Sequence, residues 1–292
     1  MLTTITGKTR LVGLLGTPVE HSISPLMHNK AFASLGLPYA YLCFDIGEEE
    51  LAQAVEGLKN LGARGWNCTW PDKNKMADLC DDLSPAAKII GAVNTVVNEG
   101  GRLYGHITDG TGYMMAVKDA GYDIIGKKIT MLGTGGAATA IIVQAALDGV
   151  AEISVFCRKT SRYYNRTLEI VSLLNEQTSC KVNLIGSDGD YEEERLREEI
   201  GTSYLLVNGT SVGMAPNSQE CLIKDSTLFH KGLVVSDIIY NPRKTLLLKR
   251  AEEAGCAVFN GLYMLLYQGA EAFYLWTGKQ MPISLIKDSY FV

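Results

Sequence analysis

Apolar runs that end at a glycine or a polar cluster recur through the first third of the chain and predict buried strands. Three such strands are predicted, at residues 10–16, 40–44 and 65–69. Residues 48–61 predict an amphipathic helix, because Leu51, Val55 and Leu58 recur on one helical face. Two further apolar runs on either side of residues 98–101 predict a β-hairpin. This mixture of strands and amphipathic helices indicates the α/β class.

From residue 127 onward, predicted strands and helices alternate regularly. The strands are predicted at 127–132, 152–156, 181–185, 204–208, 233–240 and 257–259. Repeated strand–helix–strand units indicate a parallel sheet of the Rossmann type. A helix predicted at 111–120 leads the chain out of the first domain, so we place a domain boundary near residue 110. A long final helix is predicted to begin at Gly261.

A glycine-rich turn joins the strand at 127–132 to the next helix. Within it, Gly133 permits a tight turn, Gly135 lets backbone approach a pyrophosphate, and small Ala138 allows close packing of helix on strand. The strand–turn–helix context predicts a dinucleotide site, with a merely tight turn as the alternative. The cofactor-binding residues predicted in the turn are Gly133, Gly135, Gly136 and Ala137.

The end of the second Rossmann strand normally separates NAD from NADP, because an acid there binds the ribose 2′-hydroxyl whereas cations accept a 2′-phosphate. Here the strand at 152–156 runs into Arg158, Lys159 and Arg162, with no acid among residues 157–162. An arginine can bind a phosphate through two parallel hydrogen bonds. We therefore predict NADP as the preferred cofactor with NAD possible, and solvated charges at a helix start as the alternative.

Residues 65–112 carry the densest set of chemically useful side chains. Pro71 ends the predicted strand, so Lys73 is predicted to lie on a turn at the strand's end, where α/β proteins place functional groups. The same stretch supplies a carboxylate, a carboxamide and two hydroxyls, at Asp109, Asn94, Thr69 and Thr108. A lysine beside an aspartate can exchange a proton with a hydroxyl that becomes a carbonyl. The set favours a polyhydroxylated anionic ligand, with a surface lysine and aspartate flanking loops as the alternative.

Three polar residues outside this stretch are also candidates for ligand binding. Ser24 precedes Pro25 and is predicted to cap a helix that begins at Leu26, whereas Ser22 is predicted to face the loop. Two hydroxyls beside a helix N-terminus can bind a carboxylate. Gln268 interrupts an apolar face of the final helix and needs a partner, which is either backbone or ligand.

Composition limits the remaining possibilities. With 292 residues, 47% hydrophobic and 20% charged, the chain can bury a sizeable core, and its formal charge of −5 argues against a nucleic-acid or acidic-membrane partner. Seven cysteines without a CxxC pair indicate reduced thiols in the cytoplasm, and the four histidines give no metal-ligand spacing. We expect no metal, no transmembrane helix and no signal segment. The oligomeric state stays open between monomer and homodimer.

Several ordered motifs carry a resemblance to a known family. In the first domain they are Asn67-x-Thr69-x-Pro71-x-Lys73, residues 91–95 and Thr108-Asp109-Gly110-x-Gly112. In the second half they are the glycine turn, residues 208–214, Asp237-x-x-Tyr240-x-Pro242 and Gly261-x-x-Met264-Leu265-x-x-Gln268. Over nearly its full length the chain resembles the shikimate/quinate dehydrogenase family. The resemblance implies an N-terminal α/β substrate domain at 1–110, a Rossmann NAD(P) domain at 111–260, and a C-terminal segment at 261–292 that returns to the first domain.

The resemblance also implies an activity and a set of site residues. The activity is reversible hydride transfer, without a metal, between NAD(P) and the ring hydroxyl or ketone of shikimate and 3-dehydroshikimate in aromatic amino-acid metabolism. Lys73 and Asp109 would form the catalytic pair. The implied substrate-binding residues are Ser22, Ser24, Thr69, Asn94, Tyr240 and Gln268, and the further cofactor-binding residues are Thr210, Met214 and Gly261.

This sequence departs from the family pattern at Cys68, Trp70, Ile107 and Tyr263. Ile107 removes a polar group and Tyr263 adds bulk near the expected cleft, so both bear on substrate identity. The alternatives are therefore a dehydrogenase for quinate or another cyclic polyol carboxylate, or a non-catalytic nucleotide-dependent binding module on the same fold.

Overall fold

The computed structural model describes residues 4–291. The chain forms two compact units: the first runs to Thr108 and resumes at Leu266, and the second comprises Asp109–Leu265. Both units are α/β, as predicted. The roles predicted for the two domains stay predictions at this point.

Within the described residues, the first unit contains a six-stranded mixed sheet in the order β2-β1-β3-β5-β6-β4. The strands are β1 (Arg10–Gly16), β2 (Tyr39–Asp45), β3 (Gly65–Cys68), β4 (Asp82–Leu83), β5 (Thr95–Glu99) and β6 (Arg102–His106). β1 pairs in parallel with β2 and β3, whereas β5 pairs antiparallel with β3 and β6. The antiparallel β5–β6 pair is the predicted hairpin.

Helices cover this sheet. They are α1 (Ser24–Ser34), α2 (Leu51–Asn60), α3 (Lys73–Asp78), α4 (Pro85–Ile90) and the C-terminal α11 (Ile283–Tyr290). Helix α10 (Leu262–Thr277) begins in the second unit and ends in the first, where its Trp276 indole donates to the carbonyl of Val96 at 2.9 Å. A Cβ at Gly65 would collide with that indole and that carbonyl, so glycine there lets the helix end approach the sheet. Helix α11 and the short β4 were not predicted.

The second unit is a doubly wound fold with a fully parallel sheet in the order β12-β11-β10-β7-β8-β9. Its strands are β7 (Lys128–Leu132), β8 (Glu152–Arg158), β9 (Lys181–Ser187), β10 (Leu205–Asn208), β11 (Val234–Asp237) and β12 (Ala257–Phe259). Its helices are α5 (Asp109–Asp119), α6 (Gly136–Asp148), α7 (Tyr164–Gln177), α8 (Glu193–Gly201) and α9 (Leu246–Glu253). The strand order reverses between β7 and β10, and ligands of such folds bind beyond the carboxyl ends of the strands at this point.

Candidate functional site

The loop after β3 delivers Lys73 to the start of a helix. The amide of Thr69 donates to the carbonyl of Leu15 at 2.9 Å, and the amide of Asp72 donates to the carbonyl of Thr69 at 2.9 Å, which closes a turn. Lys73 is then the first residue of α3. The prediction of a turn at the strand's end was therefore right for residues 69–72, but Lys73 itself is helical and the helix starts two residues before the predicted Lys75. The carbonyl of Lys73 accepts from the amide of Val93 at 2.8 Å.

The side chain of Asn94, next in the chain, is the centre of a buried hydrogen-bond network. Its Oδ1 accepts from the Thr95 hydroxyl at 3.0 Å, from the Thr108 amide at 2.8 Å and from the Thr108 hydroxyl at 3.2 Å. Asn67 also stabilises this network, because its Nδ2 donates to the Asn94 carbonyl at 3.1 Å and to the Thr95 hydroxyl at 2.9 Å. Three donors on one oxygen fix the orientation of the carboxamide.

That orientation makes Asn94 a directed donor. Asn94 is only 3% exposed, and its Nδ2 makes no hydrogen bond to any described residue. Thr108, held by the same oxygen, is followed directly by Asp109, the first residue of α5. The network thus links the backbone of Lys73, the carboxamide of Asn94 and the residue that precedes Asp109.

The network continues to Tyr41 on β2, whose hydroxyl donates to Oδ1 of Asn67 at 2.7 Å. Burial raises the pKa of Tyr41 well above its ordinary value, so the phenol stays a neutral donor. The prediction that Ser24 caps α1 is wrong, because Ile23 occupies the cap position and Ser24 is the first helical residue. The Ser22 hydroxyl accepts from the amide of Ser24 at 3.2 Å.

Asp72, beside Lys73, is a polar group that the sequence analysis missed. Asp72 is fully buried, and neither carboxylate oxygen is hydrogen-bonded within the described residues. Burial raises the pKa of this carboxyl, Glu48 and Glu50 raise it further, and Lys75 opposes them. No sequence signal separates such a buried acid from an exposed one on a loop, because its neighbours come from residues 48–50.

The glycine turn of the second unit has the geometry that a bound pyrophosphate needs. Gly133 has φ +95°, and a Cβ there would collide with the Thr210 methyl, so both conformation and space require glycine. A Cβ at Gly136 would meet nothing within 4 Å, and one at Gly135 would meet only the Gly209 carbonyl oxygen at 4.0 Å. The space beside Gly135 and Gly136, at the N-terminus of α6, is open to a ligand.

Two cavities lie along the carboxyl edge of the second sheet. One, of about 430 Å³, is lined among others by Gly135, Gly136, Ala137, Thr210, Met214 and Tyr240. The other, of about 510 Å³, is lined among others by Arg158, Asp190, Thr210, Ser211 and Lys224. Thr210 and Ser211 line both cavities, so the two are neighbours along this edge. One lies at the glycine turn and the other at the end of β8, the two places predicted to hold the pyrophosphate and the 2′-phosphate.

Thr210, which lines both cavities, is held by a series of hydrogen bonds between buried polar groups. Its hydroxyl donates to Oδ1 of Asn208 at 2.7 Å, and Nδ2 of Asn208 donates to Asp237 at 3.1 Å. Asp237 also accepts from the Ile239 amide at 3.0 Å and from the Thr245 hydroxyl at 2.7 Å. Burial raises the pKa of Asp237, and these donors oppose the rise.

The three cations at the end of β8 have different surroundings. Arg158, the last residue of the strand, lines the 510 Å³ cavity. The Lys159 ammonium lies 2.9 Å from Asp188, and the Arg162 guanidinium lies over the Tyr163 ring, with 4.7 Å from Cζ to the ring centroid. Asp188 was not predicted to contact Lys159, because it lies 29 residues further along the chain. The pairing of β8 with β9 brings the two residues together.

The remaining predicted residues are placed as follows. Tyr240 is half-exposed on the second unit, and Gln268 is partly exposed on α10 rather than buried. A Cβ at Gly261 would collide with the Ile238 carbonyl, so close backbone packing accounts for glycine there. Ser22, Ser24, Thr69, Lys73, Asn94 and Gln268 belong to the first unit, whereas Asp109, Tyr240 and all the predicted cofactor-binding residues belong to the second. That the two sets form one site stays a prediction.

Comparison with known proteins identifies the family. A family model described as the shikimate dehydrogenase substrate binding domain matches residues 14–96, and one described as the shikimate 5′-dehydrogenase C-terminal domain matches residues 261–289. Shikimate dehydrogenase (NADP(+)) of Listeria innocua serovar 6a is 52% identical over 98% of this chain and 97% of its own length. The chain belongs to the shikimate dehydrogenase family.

Two further family members bear on cofactor and substrate. Quinate/shikimate dehydrogenase of Escherichia coli O139:H28 is 42% identical, over 97% of each chain. The crystal structure of shikimate 5-dehydrogenase from Listeria monocytogenes, in complex with shikimate and NAD, matches with a TM-score of 0.94 at 51% identity, over 99% of this chain and 98% of that one. The predicted family and fold class are confirmed.

No cluster of three or more His, Cys, Asp or Glu side chains among the described residues is arranged to hold a metal ion. No helix between residues 4 and 291 combines the length and apolar character that crossing a bilayer requires. All seven cysteines have free thiols, and burial raises the pKa of Cys68 well above its ordinary value.

Proposed function

We propose that this protein is a shikimate dehydrogenase, which interconverts shikimate and 3-dehydroshikimate with NADP as its preferred cofactor. The observation that carries the proposal is the network around Asn94, in a chain that is 52% identical to a shikimate dehydrogenase over 98% of its length. The network joins the Lys73 backbone, a carboxamide with a free N–H group and the start of α5 at Asp109. Lys73 and Asp109 carry the amine and the carboxylate that can exchange the proton of a ring hydroxyl as it is oxidised.

In the proposed mechanism the protein handles the proton and the orientation of the ring. Lys73 takes the proton from the reacting hydroxyl as the carbonyl forms, and returns it in the reducing direction. Asp109 orients Lys73 and a neighbouring ring hydroxyl. The Asn94 amide, held by three donors to its oxygen, reads a second ring hydroxyl together with Thr69. Ser22, Ser24 and Tyr240 hold the substrate carboxylate, and Gln268 holds a further hydroxyl.

The two neighbouring cavities of the second unit support a dinucleotide cofactor, and Arg158 in one of them supports NADP. Gly135, Gly136 and Ala137 would hold the pyrophosphate, with Gly133 shaping the turn, and Arg158 would hold the 2′-phosphate. Thr210 and Met214, which line the cavity at the glycine turn, and Gly261, which lines neither cavity, would hold the remainder of the dinucleotide. When bound, the nicotinamide supplies the hydride acceptor. The open space beside Gly135 and Gly136 fits a phosphate group against the α6 N-terminus.

The proposal is tested by Lys73→Ala in an absorbance assay at 340 nm with shikimate and NADP. We expect kcat to fall about 100-fold or more, because a positioned acid–base group contributes that much. Lys88→Ala, which removes an exposed lysine of α4 in the same unit, is the matched control and is expected to keep full activity. Turnover within a few-fold of wild type in the Lys73 variant would refute the assigned role. No turnover in the wild-type protein would instead favour the nucleotide-dependent binding module.

Quinate is a second candidate substrate, favoured by the 42% identity to a quinate/shikimate dehydrogenase. Buried Ile107, next to Thr108 of the network, adds an apolar side chain where the family commonly has a polar one. The two candidates are separated by kcat/KM for shikimate and quinate, each measured with NADP and with NAD. A quinate value at or above the shikimate value would make quinate the substrate.

We further propose that the enzyme acts in the cytoplasm as a monomer or homodimer. The seven free thiols support a reducing compartment. Cell fractionation and sedimentation equilibrium test the two statements, and a higher oligomer or a membrane-associated pool would contradict them.

A further inference from the structure

A short acidic loop follows β9 and approaches the basic turn that follows β8. Its residues are Asp188, Gly189 and Asp190. The register of the two strands brings the loop there, because Arg158 on β8 pairs with Ser187 on β9. The Lys159 amide also donates to the Ser187 carbonyl at 2.7 Å. The acidic loop therefore adjoins the turn that was predicted to bind a 2′-phosphate.

The Lys159 side chain passes Gly186 and reaches the acidic loop. Gly186 lacks a side chain where the Lys159 stem passes, since a Cβ there would lie 3.0 Å from Cγ of Lys159 and 2.7 Å from the Tyr164 hydroxyl. The Lys159 ammonium then reaches Asp188 at 2.9 Å. The Lys159 side chain is 48% exposed and that of Asp188 82% exposed, so water screens the pair and a ligand can compete for it.

Asp190 acts on a second cation, Arg158, at the end of β8. It lines the 510 Å³ cavity together with Arg158 and accepts from Lys224 at 2.7 Å. The hydrogen bond from Lys224, with Arg158 as a smaller contributor, lowers the pKa of Asp190, so this carboxylate is ionised and within electrostatic reach of Arg158. The same cavity is lined by three further acids, Glu193, Glu220 and Asp225. A phosphate that approaches Arg158 therefore meets a cavity with more acids than bases.

We propose that the acidic loop is a cofactor-specificity element, in which Asp188 holds Lys159 in an ion pair and so weakens the preference for NADP over NAD. The inference rests on the proposed function only for the identity of the cofactors. With Lys159 paired to Asp188, a 2′-phosphate gains little from the Lys159 ammonium, whereas the 2′-hydroxyl of NAD is indifferent to the pairing. Asp188 is thus a positioning residue that acts through Lys159, and both cofactors are accepted.

The test compares Asp188→Asn with wild type by calorimetric Kd values for NADP and NAD. Because water screens an exposed ion pair, the effect is modest, and the ratio of the NAD Kd to the NADP Kd is expected to rise about three- to fivefold. The change is expected in the NADP value. Both side chains are exposed, so the variant is expected to fold. Because binding is measured without substrate, the result stands even if the protein turns over neither shikimate nor quinate.

A second background isolates the role of Lys159. In Lys159→Met, the Asp188→Asn change is expected to have no further effect on the ratio, since the partner of the pair is absent. Glu252→Gln is the matched control. It removes one negative charge from α9, where Glu252 forms an exposed ion pair with Lys244, and is expected to leave the ratio of the two Kd values unchanged. An unchanged ratio in Asp188→Asn overturns the proposal. An equal rise in the Lys159→Met background also overturns it, because the effect then comes from net charge alone.

Discussion

Acidification is expected to destabilise the protein through His28, which is buried in the first unit with no exposed surface. Neither ring nitrogen makes a hydrogen bond to any described residue. The ring stacks on Tyr41 at 4.6 Å between centroids and packs against Phe273 and Trp276 at 6.2 and 5.3 Å. Burial lowers the pKa of His28 from its ordinary 6.5 to about 3, because the charged ring has no partner in the aromatic cluster.

The sign follows from the lowered pKa. Between pH 6.5 and 3 the unfolded chain binds a proton on His28 that the folded chain does not, so stability falls as pH falls through this window. Each pH unit corresponds to about 1.4 kcal/mol. The free energy of unfolding should therefore lose about 2 kcal/mol between pH 6.5 and pH 5, and about 4 kcal/mol by pH 3, where half of the folded molecules carry the proton. Above pH 6.5 this contribution is constant.

The assay is urea unfolding of wild type and His28→Phe at pH 7.5 and pH 5.0. Phenylalanine keeps an aromatic ring and cannot take a proton, so its packing offset is the same at both pH values. The stability difference between the two proteins should shift by about 2 kcal/mol toward the variant at pH 5.0. His21→Asn, at a histidine whose side chain is 87% exposed, is the control and should follow wild type. Parallel pH profiles for wild type and His28→Phe would refute the reasoning.

Two further predictions concern the second unit. Arg158→Ala should raise the Kd for NADP about tenfold or more and leave the Kd for NAD within twofold. The reason is that a hydrogen bond to a charged group is worth roughly 1.5–3 kcal/mol. Calorimetry measures both Kd values, and equal weakening of NADP and NAD binding would contradict the assignment of Arg158 to the 2′-phosphate. Gly209→Ala should cost about 1–3 kcal/mol in urea unfolding, because its Cβ would lie 2.6 Å from that of Ala138. Gly136→Ala should leave the free energy of unfolding unchanged but raise the cofactor Kd. Loss of stability in Gly136→Ala together with unchanged stability in Gly209→Ala would contradict the assignment of Gly136 to the cofactor and Gly209 to packing.

Local patterns predicted the Rossmann unit well, because its information is local. The alternation of strands and helices from residue 127, the positive-φ turn at Gly133 and the small Ala138 each follow from a few adjacent residues. The helix start at Ser84 was predicted for the same reason, and its hydroxyl accepts from the Ala87 amide at 3.3 Å. Signals of this kind depend on backbone geometry, but they do not fix the exact first residue: the same Ser-Pro signal at Ser24 failed, because the cap position of α1 lies one residue earlier than predicted, at Ile23.

The site was predictable as a set of residues but not as an arrangement. Asn94 was singled out by its motif, yet the fixing of its carboxamide depends on Thr108, 14 residues away, and Asn67, 27 residues away. The basic turn was evident in the sequence, whereas the acid that pairs with Lys159 arrives on a neighbouring strand. Such contacts are decided by sheet order and register, which no local pattern encodes.

The glycines of the second unit separate into two classes once their surroundings are known. A Cβ at Gly133, Gly209 or Gly261 would strike protein atoms, so packing of the fold accounts for these three whether or not a cofactor binds. A Cβ at Gly135 or Gly136 would meet open space, and neither residue has a left-handed conformation, so the fold itself does not require glycine at these two positions. What remains is a requirement imposed from outside the chain, and a pyrophosphate at the N-terminus of α6 supplies one. The empty surroundings of Gly135 and Gly136 are therefore stronger support for a dinucleotide than the crowded surroundings of Gly133, although all three belong to the same motif.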